Sequence, residues 1–123
     1  MPAAELLALV VCDAAVVDEA GKVTLHGLFD CIWTSGFPTR HAQLAIFWKA
    51  RFAGEGAVRA VIEGPGGQAV AVTDRVDVER PGLAQAIHVV ANLDFPLPGE
   101  YLVRLIGDQG QLGVTPLEVR MRQ

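Results

Sequence analysis

Reactive side chains are scarce in this 123-residue chain, which holds three histidines, two cysteines and a single serine, Ser35. Serine nucleophiles of the hydrolase type sit on a Gly-x-Ser-x-Gly elbow, and Trp33-Thr34-Ser35-Gly36-Phe37 lacks its first glycine, so Ser35 reads as a turn residue. Cysteine catalysis needs a thiolate beside a histidine or a helix N-terminus. Cys12 and Cys31 instead fall within apolar strand patterns that favour neutral, unpaired thiols. His26, His41 and His88 show neither His-x-His nor Cys-x-x-Cys spacing, so no metal site and no cofactor is announced.

One arrangement merits attention. If Asp18 to Gly21 closes a hairpin loop, Val17 pairs with Lys22 and Asp13 stands opposite His26, with Asp30 further along that face. Two carboxylates and an imidazole there can hold a divalent ion or form an acid–base pair. The reading that outweighs it is a cross-strand ion pair on a solvated face. Asp77 and Glu79 lie about 6.6 Å apart by strand rise, but with Arg75 and Arg80 beside them they read as a charged edge, not a glycosidase pair. Gly54-Glu55-Gly56 and Gly64-Pro65-Gly66-Gly67 precede strands and lack the remainder of any phosphate-loop motif. What remains is binding surface: Trp33, Phe37, Arg40 and His41 fall in one connecting segment, and Trp, Phe and Arg are favoured interface anchors. The competing reading has Trp33 and Phe37 simply plugging one end of the fold.

The elements that must carry these residues read as strands. Glycine or proline interrupts the chain about every ten residues, no long segment keeps a helical period, and eight alternating segments emerge. They are Leu6 to Val17, Val23 to Thr34, Gln43 to Phe52, Val58 to Glu63, Ala69 to Glu79, Ala86 to Phe95, Tyr101 to Ile106 and Gln111 to Arg122. Asp74 falls on the valine side of its segment and predicts a bulge there. Leu44, Ile46, Trp48 and Phe52 share a core face; Lys49 and Arg51 face outward, which separates the aromatic from the basic residues that nucleic-acid stacking would interleave. Val23, Leu25, Phe29, Cys31 and Trp33 are expected on one face, and Ile87, Val89, Ala91, Leu93 and Phe95 on another, opposite His88. The fold class is all-β, an antiparallel two-sheet sandwich of about seven or eight strands, immunoglobulin-like or jelly-roll-like, with a closed barrel second. Residues 1–123 form one domain on length.

Composition narrows function further. An apolar fraction of 51% supports a core without staples, and a net charge of −4 with only two lysines, Lys22 and Lys49, argues against nucleic acid as partner. No stretch reaches the length of a membrane span, and the run from Leu6 lacks the basic start of a signal peptide, so a cytoplasmic location is expected. Leu6, Leu7, Leu9, Val10 and Val11 are apolar on both faces of a strand, so either another part of the chain or a second subunit covers the outer face.

Gly21-Lys22-Val23-Thr24-Leu25-His26-Gly27-Leu28-Phe29-Asp30, the Phe37-Pro38 step, Phe95-Pro96-Leu97-Pro98-Gly99-Glu100-Tyr101 and Pro116-Leu117-Glu118-Val119 resemble a family of small uncharacterised bacterial all-β proteins, a domain of unknown function. The Pro98 to Tyr101 corner with the last hairpin also resembles the end of immunoglobulin-like domains, where the Tyr hydroxyl ties down the corner. The resemblance implies the fold and a bacterial source and brings no catalytic residues. The function expected first is non-enzymatic protein–protein contact, as a homo-oligomer or with a protein partner, through the first hairpin or Trp33 to His41. A small-ligand or carbohydrate-binding module comes second. A metal-dependent enzyme built on Asp13, His26 and Asp30 comes third.

Overall fold

A computed structural model describes residues 4–122, in which ten strands form two sheets and no helix occurs. The strands are β1 (Ala4–Val17), β2 (Val23–Leu28), β3 (Cys31–Thr34), β4 (Thr39–Phe52) and β5 (Gly56–Glu63), then β6 (Ala69–Val72), β7 (Val76–Val78), β8 (Gly82–Phe95), β9 (Gly99–Gly107) and β10 (Gly110–Met121). One sheet runs β2-β1-β4-β8; the other runs β3-β10-β9-β5-β6, with β7 also paired to β5. The eight expected segments are all present, and two of them split. Asp74 interrupts Ala69 to Glu79 as its misplaced charge predicts, giving β6 and β7. Val23 to Thr34 divides at Phe29 and Asp30, so that β2 stays in the first sheet while β3 crosses to the second. There β3 pairs with β10 in parallel, Ile32 beside Val119, so the expected wholly antiparallel arrangement needs correction at this edge.

The core lies between the sheets. Leu44, Ile46, Trp48, Ala50 and Phe52 of β4 meet Val58, Ala60 and Ile62 of β5 and Tyr101, Val103 and Leu105 of β9, all buried by strict alternation. Tyr101 is wholly buried, and its hydroxyl donates to the Leu97 carbonyl at 2.7 Å, fixing the corner before β9.

Two faces differ from expectation. Crossing between sheets shifts the alternation in β3, so Ile32 is buried and Trp33 is 52% exposed, the reverse of the face predicted from continuous strand. In β8, Ala84, Ala86, His88 and Val90 face inward first. After Asn92, whose φ of 52° rotates the chain, Leu93 and Phe95 face inward instead. His88 is therefore buried and Val89 is 60% exposed.

The sheet of β2-β1-β4-β8 is strongly curled. Although β2 and β8 occupy opposite edges, Gln85 on β8 donates its side-chain amide to the Gly21 carbonyl at the tip of the β1–β2 hairpin, at 3.4 Å. The tip of the hairpin thus reaches β8 across the curl of the sheet. Cys12, Ala45 and Phe47 lie on that outer face and are buried without belonging to the intersheet core. Of the hairpin's two faces, the one carrying Ala15, Val23 and Leu25 is the more covered, while Val16, Thr24 and His26 are exposed. The outer apolar side of β1 is therefore covered, at Cys12, by its own chain.

Candidate functional site

The β1–β2 register is set by its turn. Asp18 Oδ1 accepts from the backbone N–H of Ala20 and Lys22, the Gly21 N–H donates to the Asp18 carbonyl, and Asp18 N–H donates to the Lys22 carbonyl. This is a three-residue loop with a left-handed glycine, Gly21 at φ 83°. It pairs Val17 with Val23 and His26 with Ala14, one position away from the register expected for a four-residue loop. Asp13 consequently stands level with Gly27, and a Cβ on Gly27 would collide with the Asp13 carboxylate. Asp13 and His26 are not cross-strand partners, and the expected Asp13–His26–Asp30 cluster does not assemble. No group of three or more metal-binding side chains occurs among the described residues.

Gly27, at φ 68°, starts the departure of the chain from β1, and the Phe29 N–H donates to the Val11 carbonyl before the chain crosses over. Asp30 uses its carbonyl to accept from Glu118 N–H, which docks β3 on β10. The crossing opens a cleft of about 300 Å³ lined by Asp13, Gly27, Leu28, Phe29, Cys31, Ile32, Trp33 and His41. It draws one residue from the expected polar cluster, Asp13, and two from the expected binding segment, Trp33 and His41. His41 is held by a tilted ring contact with Phe29, centroids 5.9 Å apart. Leu28 and Trp33 expose 62% and 52% of their surface, so the cleft has two apolar anchors open to solvent.

The other expected site residues lie elsewhere. Asp30 lines a separate hollow of about 290 Å³ with Val10, Leu28, Thr115 and Pro116. Phe37 packs partly buried against the core, whereas Trp33, its companion in the plug reading, is exposed. Arg40 forms an exposed two-pronged pair with Asp94 at 2.8 and 3.2 Å, which holds the Asp94 carboxyl below its usual range. Arg40 therefore ties β4 to β8 and does not line the Trp33 cleft.

Cys31 and Leu28 were not expected at this site, because the strand break at Phe29 and Asp30 that brings them there has no sharp sequence signal beyond the Gly27 and Asp30 pair. The Cys31 thiol is raised above its ordinary value, chiefly by desolvation, and its Sγ approaches the Ile32 carbonyl at 4.0 Å. Burial likewise raises the Cys12 thiol, whose Sγ donates to backbone carbonyls of Ala14 and Ala45. Both effects disfavour the nucleophilic thiolate. The cleft offers apolar contact from Leu28 and Trp33, with polar contact from Asp13 and His41.

A further polar feature was missed by sequence reasoning. Trp48 Nε1–H donates to His88 Nε2 at 2.8 Å in the core, and desolvation lowers the His88 pKa from 6.5. Alternation alone put His88 opposite the apolar face; only the reversal at Asn92 turns it inward.

These features define an all-β domain of two sheets, one curled into a half-barrel, bearing an open aromatic cleft at the strand crossing. The chain belongs to the Family of unknown function (DUF6941), which matches residues 7–120. A search among curated proteins finds no match. Among solved structures the fold is similar to part of the Pseudomonas fluorescens alkylpurine DNA glycosylase AlkC bound to DNA, with TM-score 0.59 and 11% identity over 96% of this chain and 30% of that one. It is also similar to the C-terminal domain of wzt, with TM-score 0.54 and 14% identity over all of this chain and 75% of that one. A Listeria innocua beta-glucosidase in complex with glucose gives TM-score 0.50 and 9% identity, over 95% of this chain and 16% of that one. The chain thus spans under a third of the first and under a fifth of the third. At these identities the likeness is one of fold.

Proposed function

We propose that this chain is a non-enzymatic binding domain that docks a protein partner at the Trp33 cleft. The observation that carries the reading is the exposure of Trp33 and Leu28 in the cleft that Asp13 and His41 also line. A side chain as large as Trp, held on a short strand with half its surface open, gains most by being covered in a complex. Capture from lysate of the native cell should recover a specific partner with the wild-type chain. Trp33→Ala should lose it while melting within a degree or two of wild type, since Trp33 lies outside the core. An equal yield from both proteins, or none from either, overturns this reading.

A small ligand or carbohydrate is the second reading, favoured by the presence of an indole, a carboxylate and an imidazole in one cleft of about 300 Å³. Trp48 is wholly buried and Trp33 is not, so a change in red-edge tryptophan emission reports on the cleft. A saturable change with one glycan, abolished by Asp13→Ala with His41→Ala, which keep Trp33 as the reporter, would favour this reading over the first.

A further inference from the structure

The side of the molecule opposite the Trp33 cleft carries an unpaired strand edge. Among the described residues β8 pairs with β4 alone, so its second row of backbone N–H and C=O groups has no strand partner, although β6 of the facing sheet packs nearby. Open edges are usually blunted by charge, proline, shortness or a bulge. The other edges here follow that rule. β3 has four residues and follows Asp30, β6 has four, and β7 is three residues long with an Arg75–Asp77 pair at 3.1 Å. β2 has six residues, and the tip of its hairpin reaches Gln85. β8 is fourteen residues long, and from Gly82 to Leu93 it contains no Asp, Glu, Lys, Arg or Pro. Leu83 and Val89 are 61% and 60% exposed on it.

Two left-handed residues bound the regular part of this edge, Gly82 at φ 116° and Asn92 at φ 52°. Between them runs an uninterrupted segment, Leu83 to Ala91, centred on Ile87. An antiparallel partner of the same sequence can match it over its full length in one register, with Ile87 on a two-fold axis, Gln85 beside Val89, and Leu83 beside Ala91. These residues share one face, so side chains meet their like in exposure and no like charges oppose each other. On the inward face Ala84 meets Val90 and Ala86 meets His88. These are mostly small side chains, suited to the cleft of about 390 Å³ between β8 and the facing segment Ala71 to Val76. Just beyond both ends, the Arg80 end of one strand lies beside the Asp94 end of the other. Arg80 makes no ion pair among the described residues, while Asp94 is held only by Arg40 of its own chain.

We propose that a second copy of this chain occupies the β8 edge, joining the two curled sheets into one continuous sheet across a two-fold axis at Ile87. This surface is separate from the Trp33 cleft and does not depend on what that cleft binds. Sedimentation equilibrium of the full chain at about 100 µM should give twice the chain mass. Val89→Lys puts a charge on an exposed edge position and should weaken the dimer at least about tenfold, with an unchanged circular dichroism spectrum. In a Cys31→Ser background, which leaves only the buried Cys12, Ile87→Cys should cross-link to itself on mild oxidation. Leu83→Cys and Ala91→Cys should each fail alone, since eight residues of strand separate the two copies of each by about 27 Å, yet cross-link when mixed. The mixed pair keeps the test decisive if Ile87→Cys, at a half-buried position, folds poorly. A monomer at that concentration, a dimer indifferent to Val89→Lys, or self-cross-linking through Leu83→Cys overturns the proposal.

Discussion

Acidification tests the buried Trp48–His88 hydrogen bond most directly. Trp48 is wholly buried and His88 is 6% exposed, and the indole N–H can donate only to an imidazole nitrogen that carries no proton. That bond places the neutral ring's proton on Nδ1. No buried side-chain nitrogen or oxygen lacks a partner among the described residues, so Nδ1, for which none is found there, keeps access to solvent. Protonating Nε2 would set two donors against each other and place a charge against Trp48. Desolvation accordingly lowers the folded-state pKa below the ordinary 6.5. The unfolded chain then takes up a proton near 6.5 that the folded chain refuses. Stability is complete above that value, falls as the pH drops below it, and levels off under the folded-state pKa. Within the window the slope is at most about 1.4 kcal/mol per pH unit, so the melting temperature falls as the pH drops below 6.5. Asp94 acts in a different range. Held low by Arg40, it contributes above its ordinary 3.8 and loses that contribution only as the pH falls further. Thermal melts followed by near-ultraviolet circular dichroism at pH 7.5, 6.5, 5.5 and 5.0 should separate wild type from His88→Leu. At pH 7.5 the variant should be less stable by about 1–3 kcal/mol, because the Trp48 N–H loses its acceptor. The gap should narrow toward pH 5. Parallel curves for the two proteins would refute the reasoning.

Tyr101→Phe removes the hydroxyl that bonds the Leu97 backbone while keeping the ring's edge-on contact with Phe95, and should cost about 1–2 kcal/mol in urea denaturation. Gly113→Ala should cost about 1–3 kcal/mol by the same assay, because the added methyl would overlap Leu6 across the β1–β10 contact. Asp18→Ala leaves the N–H groups of Ala20 and Lys22 without their common acceptor and should loosen the hairpin turn, read as faster amide exchange at Val17 and Val23. Zinc added in excess, or its removal by chelation, should leave the melting temperature within about 1 °C, given that Asp13, His26 and Asp30 do not converge; a larger upward shift would restore the metal reading.

Strand content, the core face of β4, the turn positions and the interruption at Asp74 are legible in the sequence alone. Each is local, written in a two-residue period and in Gly, Pro and Asp chemistry. The residue types also single out Trp33, His41 and Asp13, though in two separate groups, and these three line one cleft. The tertiary structure decided how they combine. A one-residue difference in hairpin register separated Asp13 from His26, and the crossing at Phe29 and Asp30 turned Trp33 outward and brought it beside Asp13 and His41. The left-handed Asn92 turned His88 into the core. Only the three-dimensional path could show that Cys12, Ala45 and Phe47 are buried outside the intersheet core, that the tip of the β1–β2 hairpin reaches Gln85, and that the open edge of the molecule is β8. Alternation fixes the relative facing of neighbours within a strand, whereas register, sheet crossing and curl are set by contacts between residues far apart in sequence.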